Sequence, residues 1–531
     1  MGNRRVFIKQ LSAGTIILSV SPAFISCNRK RKKQPFEIIP SNPLDLPRST
    51  PEEQGILSGA VGKFIDSFQK SKIELHSIML VRNGHVITEG WWSPYAAEYK
   101  QQLYSLSKSF TSLAVGFAIE EGLLSLDDKV IYFFQDDLPD QLSENLKKLK
   151  VKHLLTMSVG QETDPITIME KTKNWARAFL NIPIVNEPGS TFLYNSGASY
   201  MLSAIISKVA GESLHKFLKP RLFDPLNITG STWSQNSQGV NIGASHLRLK
   251  TEDIAKFGQL LLDKGKWKGK RIIGRKWVKE ATSKQIETGK NNNDWAYGYG
   301  YQFWMNPPGG FRADGAYGQY CIVFPEKDTV LVITAESFDK QETMRLVWNE
   351  LLPEIRENEP IEPNEKQFKR LQKKLKTLRL DPPKYATNFP FAKIISGKVF
   401  VLEDNELNVK AVSFEFSRNE CLFTIKNKNN EERVIKCGIN RWVMENNMKP
   451  GPKTLFSDLR IDFKSVLAAS ATWRDENTLL ITFRFPESTH TDTIMCTFIG
   501  EKLTLSFRSS IAASGKEGPE TRRDITGTMK T

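Results

Sequence analysis

Cysteine is scarce in this chain, with five in 531 residues (Cys27, Cys321, Cys421, Cys437 and Cys496). So few, so far apart, exclude a disulfide framework. A pair among the last three and buried free thiols both remain open. The six histidines form no HExxH or HxxxH helix, and no cysteine spacing suits zinc, so no metal and no cofactor is expected. Gly-x-Ser-x-Gly is absent, which argues against the α/β-hydrolase kind of serine enzyme. Beyond Cys27 no apolar run is long enough to span a bilayer. There is no internal repeat. The net charge of +15 invites a nucleic-acid reading, but the basic residues are dispersed and no RNA- or DNA-binding motif surrounds them. We read that excess as solvated surface, with no nucleic-acid partner.

What is present begins with an address. "NRRVFIKQLSAGTIILSVSPAFISC" has a twin arginine (Arg4, Arg5), then Phe7 and Lys9, then a short apolar stretch. It resembles a twin-arginine export signal. Phe24-Ile25-Ser26-Cys27 resembles a bacterial lipobox, although Phe24 replaces the usual leucine. That resemblance implies lipidation at Cys27 and an exported cell-envelope lipoprotein. The basic run from Arg29 to Lys33 would then lie beside anionic headgroups, or serve only as a spacer.

The length implies two domains. Residues 1–27 read as the signal and 28–46 as a polar tether. Across 47–356 strand-like and helix-like segments alternate. "HSIMLVRNGHVITEGWW" predicts a hairpin turning at Asn83-Gly84. Alternation at Tyr297, Tyr299, Tyr301 and Phe303 predicts a strand, and "GQYCIVFPEKD" and "DTVLVITAES" predict two more. A sheet drawn from both ends of a region, with helices between, is an α+β layout. Residues 357–385 read as a linker with a basic helix from about Glu365 to Leu380. Short alternating segments over 386–514 predict a small all-β domain, a sandwich or barrel. The tail 515–531 is expected to be disordered.

The chemistry centres on "QQLYSLSKSFTSLAVGFAIEEGLLSL", residues 101–126. Leu106, Phe110, Leu113, Ala114, Phe117 and Ala118 recur at helical spacing, and Gly122 reads as the stop. A helix that buries this face takes Ser105 and Lys108 inside with it, and buried lysine is costly. Serine is a poor nucleophile until something takes its proton. A lysine three residues on lies one turn along the same face, and desolvation lowers its pKa towards neutrality. Ser-x-x-Lys alone is weak, because it recurs at Ser67–Lys70, Ser213–Lys216 and Ser337–Lys340.

Context separates Ser105 from these. "YSLSKSFTSLAVGFAIEEGLLSLDDKV" resembles the nucleophile helix of the penicillin-recognising serine hydrolases, in their class C β-lactamase-like branch. The resemblance continues through "EPGSTFLYNSGASYMLSAIISKVAG" and "GYGYQFWMNPPGGFRADGAYGQYCIVFPEKDTVLVIT", spanning roughly 47–356 in the family's order. It implies a β-lactamase-like fold, with an antiparallel sheet flanked by helices and a helical subdomain. It also implies an acyl-enzyme on Ser105, with Lys108 and Tyr194 of Tyr194-Asn195-Ser196 as the proton-transfer pair. Ser196 is then a substrate-binding residue, or only the N-cap of the following helix.

The family's third motif, Lys-Thr-Gly or His-x-Gly, is replaced by Ala313-Asp314-Gly315. Gly315 suits close backbone approach to a ligand, and the backbone N–H groups of Ser105 and Ala316 would form the oxyanion hole. With Gly315, Asp314 would be a substrate-binding residue that repels a substrate carboxylate if it faced the cleft, or it points away. The expected substrate is an uncharged ester, amide or peptide. Alternatives are a β-lactamase or D-Ala-type carboxypeptidase proper, or a catalytically silent binding or sensor protein.

Overall fold

Asn83 and Gly84 turn the first hairpin with positive φ of 49° and 73°, the handedness that matches two twisted strands. β1 (Glu74–Arg82) and β2 (His85–Trp91) leave that turn antiparallel. The computed structural model describes residues 42–71, 73–289, 291–355, 359–385, 390–448, 465–515 and 518–530. The export signal and Cys27 lie outside the described residues.

The partners of this hairpin come from the far end of the same region. β3 (Trp304–Met305), β4 (Phe311–Gly315), β5 (Gln319–Phe324) and β6 (Thr329–Glu336) complete a six-stranded antiparallel sheet in the order β2-β1-β6-β5-β4-β3. Period-two alternation divides its side chains between two cores. Val330 and Val332 join Cys321, Val323, Met79 and Val81 on one face. Leu331, Ile333 and Ala335 join Tyr320, Ile322, Ile78 and Leu80 on the other. The second face is covered by α1 (Ser58–Lys70), whose Val61, Phe64, Ile65 and Phe68 recur at helical spacing.

On the first face lies α2 (Ser107–Glu120), in which every residue from Ser107 to Ala118 is buried. It packs against α3 (Ser196–Ala210), while α4 (Thr251–Leu262) crosses β1, β5 and β6. Each large apolar side chain buried here contributes about 1.5–3 kcal/mol relative to exposure. Gly122, at φ 71°, ends α2 by donating its N–H to the Ile119 carbonyl at 3.0 Å.

Two expectations for this region fail for local reasons. Residues 297–303 are not a strand, and only Trp304–Met305 qualifies. Gly298 and Gln302 both carry positive φ (108° and 67°), which breaks the extended run that the aromatic alternation suggested. The basic helix α5 (Glu365–Lys376) stops short of Leu380 and is no free linker. Its Leu371 enters the α1 core, and Lys374 Nζ donates to the Gly62 carbonyl at 3.1 Å and also contacts Asp66.

The C-terminal domain is a closed β-barrel. β7 (Val399–Leu402), β8 (Val409–Phe416), β9 (Glu420–Asn427), β10 (Glu432–Ile439), β11 (Val443–Met448), β12 (Ser465–Trp473), β13 (Thr478–Arg484), β14 (Thr491–Ile499) and β15 (Lys502–Ser509) run largely in meander order. A parallel contact of Gly438 with Ser470 and Ile439 with Ala471 joins β10 to β12. Phe400, Phe414, Phe423, Trp473 and Phe498 fill the interior. Cys421, Cys437 and Cys496 are free thiols buried among them.

The tail corrects another expectation. Ile525–Met529 forms β16, which pairs with both β7 and β15. A polar composition suggested disorder, but the gap between β7 and β15 otherwise leaves two strand edges unpaired, and the tail fills it. The barrel rests on the region 47–356 through an Arg484–Glu74 ion pair, with Nη2 to Oε2 at 3.1 Å, and a Gln101 Nε2–H donated to the Pro486 carbonyl at 2.7 Å.

Candidate active site

Ser105 sits in a single 3-10 turn, Tyr104–Leu106, that leads into α2. Lys108 is one turn further on, and because α2 is buried on all sides its side chain has nowhere to go but inward. Lys108 is 2% exposed. Its Nζ lies 3.0 Å from Ser105 Oγ, 2.9 Å from the Ala244 carbonyl and 3.4 Å from Ser196 Oγ. Burial pulls its pKa down from 10.5 to about 7, and the cation of Lys340 adds to the fall. The carboxylates of Asp164 and Asp314 oppose the shift without cancelling it. Among the four Ser-x-x-Lys matches the contrast is clear at Ser213, which only caps a helix by accepting from the Lys216 N–H.

Tyr194 joins this pair. Lys108 Nζ stands 5.0 Å from the centre of its ring, and the Ser105 side chain is near enough to oppose the rise in its phenol pKa. The ring stacks on Trp304 at 5.6 Å and meets Tyr299 edge-on at 6.4 Å. Desolvation by these neighbours pushes the phenol pKa well above 10. Near pH 7 an amine about half in its neutral form and an un-ionised phenol therefore stand beside the Ser105 hydroxyl.

Of the two readings of Ser196, capping falls to its neighbour. Asn195 is the N-cap of α3, accepting from the Ala198 N–H at 2.8 Å and donating its amide to Gln161 Oε1 at 2.8 Å. Ser196 is thereby free to face Lys108. Asp164, which sequence reasoning missed, accepts from the N–H groups of Ser196 and Gly197 at 2.8 and 3.2 Å. A carboxylate at a helix N-terminus is favoured there. Nothing in "GQETDP" signals that role, because its partners lie more than thirty residues away.

The third motif is placed but reinterpreted. Gly315 ends β4 against the Tyr104–Leu106 turn, where a Cβ would stand 2.3 Å from the Leu103 carbonyl oxygen. No other residue fits. Asp314 departs from the expected substrate-binding role. Its side chain is 2% exposed, and its oxygens accept from Trp295 Nε1–H at 2.8 Å, Arg312 Nε–H at 3.2 Å and Lys340 Nζ at 3.0 Å. Two cations flank it, so its side chain is buried in an ionic network and its charge is largely offset. Ala313, on the alternate face, lies in the main core.

The model of the family described as Beta-lactamase matches residues 63–351, more than half of the chain. The chain belongs to the Beta-lactamase family. It is a serine hydrolase of that family's type. It is 21% identical over 282 residues to the 6-aminohexanoate-dimer hydrolase of Paenarthrobacter ureafaciens, covering 48% of this chain and 71% of that protein. It is 27% identical over 155 residues to the lovastatin esterase of Penicillium rubens, covering 24% of this chain and 38% of the esterase. The chain thus spans little more than a third of that second relative. Among solved structures, the octameric penicillin-binding protein homologue from Pyrococcus abyssi aligns at 17% identity and a TM-score of 0.45, covering 88% of this chain and 99% of that one.

Proposed function

We propose that the protein hydrolyses uncharged esters or amides through an acyl-enzyme on Ser105. The observation that carries this reading is Lys108 Nζ, buried and depressed to about pKa 7, lying 3.0 Å from Ser105 Oγ. As a neutral amine, Lys108 takes the hydroxyl proton while Ser105 Oγ attacks the substrate carbonyl. Its own N–H groups stay anchored on the Ala244 carbonyl and Ser196 Oγ. The ammonium formed is offset by the nearby carboxylates of Asp164 and Asp314. Tyr194, un-ionised, hands a proton to the leaving alkoxide or amine and regains one from the Lys108 ammonium, which restores the neutral amine and the phenol for the second half of the cycle. The backbone N–H groups of Ser105 and Ala316 hold the oxyanion. Water then repeats the sequence on the acyl-enzyme.

Esters and amides are also what the named relatives suggest, through a 6-aminohexanoate-dimer hydrolase and a lovastatin esterase. Against β-lactams stands Ala313, an apolar core residue where the family pattern carries lysine or histidine. Repulsion by Asp314 no longer contributes to that preference. The test is a screen of p-nitrophenyl esters, D-amino-acid amides and a chromogenic cephalosporin, together with fluorophosphonate labelling of parent and Ser105→Ala. We expect ester turnover to exceed cephalosporin turnover, and Ser105→Ala to abolish both turnover and label. Label surviving in Ser105→Ala would remove Ser105 from the mechanism. Acylation of the parent without turnover would favour a sensor.

A further inference from the structure

The barrel reaches the candidate site itself. The loop 485–490 between β13 and β14 is buried against the catalytic region, and its last residue, His490, is 2% exposed. His490 Nδ1 lies 2.7 Å from Glu336 Oε1, at the end of β6. The carboxylate oxygen also accepts from Ser510 Oγ at 2.5 Å, a second barrel residue. On its other side, His490 Nε2 is hydrogen-bonded to Tyr104 Oη at 2.9 Å.

Tyr104 immediately precedes Ser105, and Tyr317 immediately follows Ala316. Both carry left-handed backbone, with φ of 48° and 60°, a conformation that a tyrosine adopts only when its surroundings hold it there. The two rings meet edge-on at 5.0 Å, and Tyr317 meets the His490 ring edge-on at 4.4 Å. One imidazole thus touches both of the residues that flank the two oxyanion N–H donors.

We propose that His490, oriented by Glu336, is a positioning residue that holds Tyr104 and Tyr317 and thereby sets the geometry of the oxyanion hole. The barrel is then part of the catalytic apparatus, although it lies outside the region matched to the family. This inference rests on the Ser105 reading above. A backbone donor must sit within a few tenths of an ångström of the developing oxyanion, and a displacement of about 1 Å costs up to roughly a hundredfold in rate.

The experiment compares Tyr104→Phe, which removes only the hydroxyl, and His490→Phe, which keeps a ring but loses both hydrogen bonds. Each is measured in the full chain on a p-nitrophenyl ester, for kcat and KM separately, alongside the rate of fluorophosphonate labelling and Tm. We expect kcat and the labelling rate to fall about ten- to a hundredfold in both variants with KM little changed. If His490→Phe does not fold, Tyr104→Phe decides alone. A kcat within twofold of the parent in folded Tyr104→Phe, or a change confined to KM, overturns the proposal. Ser105→Ala run in parallel separates the two levels of argument. If it stays active, the nucleophile assignment has failed. If it is dead while Tyr104→Phe and His490→Phe match the parent, only the role of His490 has failed.

Discussion

Replacing Lys108 by methionine tests the depressed pKa without any substrate. In the folded protein Lys108 titrates near 7 and in the unfolded chain near its ordinary 10.5. Between those values the unfolded chain binds more protons, so the burden that this lysine places on folding is full below pH 7 and fades as pH rises towards 10.5. At about 1.36 kcal/mol per pKa unit, linkage puts the burden at about 4 kcal/mol at pH 7 and about 2 kcal/mol at pH 9. Lys108→Met removes it at every pH. The variant also strands the Ala244 carbonyl that Lys108 satisfied at 2.9 Å, which costs about 1–3 kcal/mol independently of pH. Methionine fills a similar volume. Lys108→Met should therefore be the more stable protein at pH 7, by about 1–3 kcal/mol. That advantage should shrink by about 2 kcal/mol on going to pH 9. Urea unfolding of both proteins at pH 6, 7, 8 and 9 reads the difference directly, and groups that titrate alike in both cancel. A difference that stays constant to within about 0.5 kcal/mol across this range would refute the depressed pKa. In the active parent, kcat/KM should rise through an apparent pKa near 7.

Asp314→Asn should destabilise the protein by about 3–5 kcal/mol in thermal or urea unfolding, because it strands the fully buried Arg312 guanidinium. A loss below about 1 kcal/mol would show that Arg312 is held mainly by its carbonyl partners. Deletion of residues 515–531 should open the barrel between β7 and β15 and lower Tm, with self-association through the exposed edges seen by light scattering. A monomeric truncated chain with the parent Tm would contradict the closing role of β16. We also propose export and a lipid tether at Cys27, so Cys27→Ala should move the protein from the membrane to the soluble fraction. Unchanged membrane retention in Cys27→Ala would exclude that tether.

Much of the catalytic region was legible because its signals are local. The Asn83-Gly84 turn, the helix that follows Ser105 and the alternation in Thr329–Glu336 all depend on residues within a few positions of one another, where backbone geometry sets the period. The same local reading misled at 297–303, where aromatic alternation imitated a strand that positive φ at Gly298 and Gln302 forbids. It misled again at the tail, where a polar composition concealed a strand whose partners lie elsewhere in the barrel.

By itself the sequence determined that a serine and a lysine share one face of a helix apolar enough to be buried, and hence that burial lowers the lysine pKa. It also determined that the last region is all β, through short alternating segments. Tertiary structure alone decided which charges count. From sequence Asp314 either faces the cleft as a repulsive carboxylate or points away, and the convergence of Arg312 and Lys340 on it is visible only in the fold. Asp164 has no motif, yet it stands at the start of α3 and acts on Lys108. His490 reaches Tyr104 across 386 positions and Glu336 across 154. Helical and strand periods are written within a few residues, whereas electrostatics and hydrogen bonding depend on distance in space. Folding brings such distances together from segments that carry no trace of one another.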